Sequence, residues 1–122
     1  MSTPLTLRTG RRDDGRPVLA ADGEIDMSNV DRFGAALAET VAGAAAGAGP
    51  VVVDLTAVTY LDSGAINAMF AHAEQLELIC NPLLVRALIF SGLAEVVDII
   101  EVDRGDAGSG DAGSADGGPP RA

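Results

Sequence analysis

The run Val51-Val52-Val53, followed by Leu55, constrains the fold of this chain more than any other feature. Consecutive β-branched residues are stiff at χ1; they suit a pleated strand and crowd a helix. No polar residue interrupts the three valines, so the run reads as a central strand covered on both faces, as in a parallel sheet. Parallel neighbours need crossover connections, and helical patterns stand on both sides of the run.

Before it, Val30, Phe33, Leu37, Val41 and Ala44 recur at spacings of three and four, one apolar helical stripe. Ser28 with Asp31 gives a Ser-x-x-Asp start signal, and the Gly/Ala stretch from Gly43 to Gly49 ends the helix. After it, Asp62 or Ser63 caps a second helix with Ile66, Met69, Phe70 and Ala73 on one face. Leu76, Leu78 and Cys80 then form a short strand. Asn81-Pro82 is an N-cap with proline at the first helical position; Leu83, Leu84, Ala87 and Leu88 face inward before Gly92. Val96 to Ile100 is the last strand.

Two strands precede all of this, around Leu5–Leu7 and Val18–Ala21, joined by the charged turn Arg11 to Gly15. The order β-β-α-β-α-β-α-β predicts an α/β fold: one domain over residues 1–102, a mixed and mainly parallel β-sheet packed against helices. From Asp103 the composition changes to Gly, Ala, Asp, Ser and Pro, with nothing to bury, so 103–122 is expected to be a disordered tail.

Charge and motif inventory exclude several classes of function. Net charge is −10, all eight bases are arginine, and the tail accounts for only −2 of the total. Nucleic-acid binding needs a basic face, which this balance denies. The absence of lysine excludes a Gly-x-x-x-x-Gly-Lys phosphate loop. The lone His72 has no partner in pattern for a metal set, and no Gly-x-Ser-x-Gly elbow occurs. Neither a cofactor nor catalysis is expected. Cys80, beside Leu78 and Ile79, reads as a buried small hydrophobe in a reducing compartment. No signal peptide is expected from the first nine residues and no apolar run suffices to insert in a membrane, so the expected location is cytoplasmic.

One constellation carries chemistry. The central strand delivers Asp62 and Ser63, through a short loop, to the start of a helix, where free N–H groups favour negative charge. Ordinary N-capping accounts for the same residues.

Here the chain resembles a known family. Asp54-Leu-Thr-Ala-Val-Thr-Tyr-Leu-Asp-Ser-Gly-Ala-Ile66 looks like the signature of the STAS domains of sulphate transporters and anti-sigma-factor antagonists. Gly23-Glu-Ile-Asp26 is similar to the Gly-Glu-Leu-Asp segment after that family's second strand. Asn81-Pro-Leu-Leu-Val-Arg-Ala-Leu-Ile-Phe-Ser-Gly-Leu93 resembles its third helix. The resemblance implies a partner switch: an antagonist that binds an anti-sigma factor, itself a serine kinase, and is released when phosphorylated at the helix start. It places the partner-binding surface at Glu24, Asp26, Asp62, Ser63 and Gly64, with Ser63 the candidate phosphoacceptor. The same signature occurs in cytoplasmic STAS subunits associated with lipid or anion transporters, and that alternative stays open. So does pairing as a homodimer.

Two departures from the family pattern matter. The family reads Asp-Ser-Ser/Thr-Gly, with phosphate on the second hydroxyl residue; aligned without a gap that position is Gly64, and with one deletion it is Ser63. The join between Ala73 and Leu78 is also short, which should draw the second helix's end toward the following strand. A bulky charged residue at Gly64 is expected to abolish binding without unfolding the domain.

Overall fold

The computed structural model describes residues 4–102. The predicted tail, 103–122, lies outside them. The elements are β1 (Thr6–Arg11), β2 (Pro17–Ile25), α1 (Val30–Ala42), β3 (Val51–Leu61), α2 (Ser63–Ala71), β4 (Leu76–Cys80), α3 (Pro82–Ser91) and β5 (Asp98–Glu101). Single 3-10 turns at Ala73–Gln75 and Leu93–Glu95 lead toward β4 and β5. This is the order expected from the sequence, in one five-stranded sheet ordered β1-β2-β3-β4-β5. β1 is antiparallel to β2, and the other pairs are parallel.

Right-handed crossovers that step the same way across a sheet place their helices on one face. Burial agrees. Phe33 and Leu37 of α1, Ala65 and Met69 of α2, and Leu84 and Leu88 of α3 join one core with Leu19, Ile25, Val53, Leu55 and Leu78 of the strands. Along β2 the buried residues alternate, Pro17, Leu19, Ala21, Gly23 and Ile25, and β4 alternates likewise. The opposite face carries no helix, and the expectation that β3 is covered on both faces is corrected.

Val52 points to that uncovered face and is still buried. Its neighbours in register are Val18 and Glu77. Arg16 lies beside it: its Nε donates to the Pro50 carbonyl at 3.1 Å and its guanidinium pairs with Glu77. A side chain thus does the covering that the sequence suggests a helix would do.

β3 runs on to Leu61, so the loop expected before α2 does not exist. The strand absorbs two one-residue irregularities against β2, between Ala20 and Asp22 and between Gly23 and Glu24, the second beside Gly23 at φ 110°. Each adds a residue to β3 alone, as a bulge does. The two cancel in parity, so Tyr60 returns to the uncovered face opposite Glu24.

Helix faces are narrower than the sequence suggests. On α3, Leu84 and Leu88 are buried, whereas Leu83 is 67% exposed and Ala87 is exposed too. Residues four apart share a stripe, and the preceding residue in each pair sits about 100° round the helix. For the same reason Ala65 and Met69 form the buried stripe of α2 while Phe70 turns outward, and Ala73 belongs to the 3-10 turn. The caps of α3 stand as expected: Asn81 Oδ1 accepts from the Leu84 N–H at 3.0 Å, and Gly92 closes the helix at φ 88°. At α1 the Ser-x-x-Asp box does not form; Asn29 is the N-cap, with no side-chain cap bond.

Candidate partner-docking site

The carboxyl ends of β2 and β3 lie side by side, and the predicted residues follow from them. Glu24 pairs with Tyr60 and Ile25 with Leu61. One residue on, the Asp62 N–H donates to the Ile25 carbonyl at 2.8 Å, which ties the start of α2 to the end of β2.

The turn from β2 into α1 is wound around Asp26. Its carbonyl accepts from the Asn29 and Val30 N–H groups at 3.1 and 2.8 Å. Its carboxylate accepts from the Ser28 N–H and hydroxyl. Asn29 closes the turn, accepting from the Asp26 N–H and donating to the Glu24 carbonyl, both at 2.9 Å. A short carboxylate that bonds the backbone two residues on is an Asx-type turn. It engages Ser28 and so displaces the capping box read from the sequence.

Across from this turn, Asp62 caps α2: its Oδ1 accepts from the Gly64 N–H at 2.7 Å. Ser63 is the first helical residue and is exposed. Asp26, Asp62 and Ser63 therefore come together at one edge. Glu24 stands beside them but points to the uncovered face of the sheet.

Gly64 turns inward. A Cβ built there would approach Val30 Cγ2 at 3.2 Å and Asp62 Oδ1 at 3.3 Å. The starts of α1 and α2 are in contact through this glycine, and further along Gly34 stands opposite Ala68, whose Cβ is 4.0 Å from a Cβ built on Gly34. Small residues let two helix axes approach closely. A bulky residue at Gly64 would disturb this seam as well as any interface, so Gly64 is not the clean interface probe expected from the sequence.

Two residues of this edge escape the sequence reading. Met27, at the tip of the β2–α1 turn, is 85% exposed, and Tyr60, at the end of β3, is 50% exposed. A methionine inside the polar stretch Asp26-Met-Ser-Asn29 was the available signal for the first. For the second there was none, because the parity of Tyr60 depends on the two bulges.

Reactive groups elsewhere offer little chemistry. Burial pushes the Cys80 thiol up to about 12, with the Asp54 carboxylate adding to the shift, so the residue behaves as the small hydrophobe expected. Among the described residues, no group of three or more His, Cys, Asp or Glu is arranged to hold a metal ion, and no helix is long and apolar enough to cross a membrane.

A family model described as "Mlab, STAS domain" matches residues 9–104. No curated protein matches the chain in sequence. The fold is similar to that of an anti-sigma factor antagonist from Mycobacterium paratuberculosis, 24% identical, TM-score 0.70, over 82% of this chain and 90% of that one. It is similar also to the anti-sigma factor antagonist SpoIIAA in its unphosphorylated form, 14% identical, TM-score 0.62, over 84% and 92%. An uncharacterised protein with a SpoIIAA-like fold from Shewanella loihica matches at 15% identity and TM-score 0.56, over 86% and 91%. At these identities the likeness shows the fold.

Proposed function

The chain belongs to the STAS domain family, and from its likeness in fold to anti-sigma factor antagonists we propose that it is an anti-sigma-factor antagonist, a protein that acts by binding another protein and catalyses nothing itself. The observation that carries the reading is the edge where β2 and β3 end, which brings the half-buried Asp26 and Asp62 together with the exposed Ser63. The proposed partner is an anti-sigma factor of the serine-kinase type. Glu24 and the start of α2 complete the contact.

Control by phosphorylation falls to Ser63, since Gly64 has neither a hydroxyl nor room for one. The Gly64 N–H is already taken by Asp62, so a phosphate on Ser63 competes with that carboxylate for the helix end. It therefore points toward the partner, adding roughly two negative charges beside Asp62. A charge set into a desolvated contact costs a few kcal/mol of binding.

A second reading has one observation in its favour. Gly64 at the usual acceptor position suits a constitutive subunit, and a STAS subunit docked on a lipid or anion transporter needs no such switch. Affinity capture with the tagged full chain, with mass spectrometry of what is retained, separates the two. A kinase-like ATPase supports the antagonist; transport ATPase or permease subunits replace it with the transporter subunit. Intact-mass measurement after incubation with that kinase and ATP then tests Ser63. No added phosphoryl group, or one that survives in Ser63→Ala, removes the proposed switch.

A further inference from the structure

Charge is distributed unevenly over this molecule. No arginine occurs between residues 17 and 31 or between 33 and 85, and the chain has no lysine. Four of the arginines, Arg8, Arg11, Arg12 and Arg16, lie on β1 and the β1–β2 turn. The ion pairs of Arg12 and Arg16 with Asp14 and Glu77 gather there, at the amino end of β2. Arg32, at the start of α1, directs its guanidinium to the Leu5 carbonyl.

The carboxyl edge carries the acids, with Arg32 held at its β1 side. Asp22 and Glu24 line the uncovered face of β2, and Asp26 and Asp62 follow at the strand ends. Among these four acids stand Met27 and Tyr60, both strongly exposed. Register puts Tyr60 directly beside Glu24, on the face that no helix covers. A large aromatic and a flexible thioether within a charged rim is the make-up of an interface hot spot with its polar surround.

Resting on the docking role proposed above, we infer that the partner-binding surface wraps from the start of α2 over the sheet edge onto the uncovered face, anchored by Tyr60 and Met27. The acidic rim fixes the partner's chemistry: apolar contact area bordered by arginine or lysine. Asp22 belongs to this surface, and the outer face of α1 does not. Complementary charge at the rim steers encounter, and the two apolar anchors hold the complex.

The test uses the full chain and the protein it retains, purified as a single species. Its dissociation constant is measured for wild type, Met27→Ala, Tyr60→Ala, Tyr60→Phe and Ser63→Arg. Each alanine variant is expected to weaken binding by about thirtyfold, the ratio that marks a hot spot. Tyr60→Phe keeps the ring and should bind nearly as wild type. Met27 is so exposed that Met27→Ala cannot unfold the domain. Tyr60 is the only tyrosine, so 3-fluorotyrosine labelling gives one 19F resonance that reports on it alone, and that resonance should shift on complex formation. Raising salt should slow association.

Unchanged affinity in both alanine variants, or an unmoved 19F resonance, overturns the inference. If Ser63→Arg still abolishes binding in that case, the docking role of the α2 start stands without the anchors. If Ser63→Arg also binds as wild type, or nothing is retained, the docking role falls and the anchors with it.

Discussion

Replacing Gly64 by alanine tests the seam between α1 and α2 quantitatively. Alanine is the better helix former by about 1 kcal/mol in a helix interior, so propensity alone predicts stabilisation. The contacts predict the opposite. A Cβ at 3.2 Å from Val30 Cγ2 and 3.3 Å from Asp62 Oδ1 is closer than ordinary packing. Val30 is β-branched and sits at the start of α1, so it has few rotamers in which to retreat. Overpacking of this kind costs about 1–3 kcal/mol. The net expectation for Gly64→Ala is a loss of about 1 kcal/mol, a fall of about 5 °C in Tm for a domain of this size. Thermal and urea unfolding followed by circular dichroism measure it. The cause is isolated by repeating the substitution in Val30→Ala, where the crowding methyl is gone. There Gly64→Ala should be neutral or stabilising, a coupling of about 1–2 kcal/mol between the two sites. A Gly64→Ala variant more stable than wild type, with additive effects in the double variant, would refute the reasoning. If the coupling is found, Gly64→Ser carries the same cost, since its Cβ meets the same atoms.

Three further outcomes follow from the packing. Arg16→Ala should cost about 2 kcal/mol in urea unfolding, because it strands the half-buried Glu77 and uncovers Val52; Glu77→Gln should cost less, and equal losses would contradict the charge argument. Asn81→Ala should cost about 2–3 kcal/mol: it removes the α3 cap, worth about 1, and leaves the Thr56 and Val58 carbonyls without the amide that donates to both. A loss no larger than a cap alone would show that this cross-link from α3 to the bulged strand contributes nothing. Cys80 gives a pH dependence. Its thiol, pushed up to about 12 in the folded chain, ionises near 8.5 when unfolded, so the unfolded state binds fewer protons and stability falls as pH rises between those values, by up to about 1.4 kcal/mol per pH unit. Cys80→Ala should abolish that slope, and an unchanged slope would assign it to other groups.

The order of elements was legible because periodicity reports it directly: Val51–Val53, the stripe from Val30 to Val41, and the Asn81-Pro82 cap each have one physical reading. The number of layers was not. Val52 is buried beside Glu77, with which Arg16 pairs, and a contact between residues 61 apart leaves no local trace. Helix faces were overestimated at Leu83, Ala87 and Phe70, since an apolar residue on a short helix need not be inward. At the site, Asp26, Asp62 and Ser63 were found through a motif, and their meeting depends on the hydrogen bond from Asp62 to Ile25. Met27 and Tyr60 were missed because exposure and strand parity are tertiary properties. The crowding at Gly64 was invisible for the same reason.

The proposed working surface of this protein is the carboxyl edge of β2 and β3. Backbone hydrogen exchange of the full chain, with and without the purified protein it retains, tests that most directly. The account predicts added protection at residues 24–28 and 60–65, with β1 and the outer face of α1 unchanged. Protection confined to α3, β5 or the β1–β2 turn would contradict it.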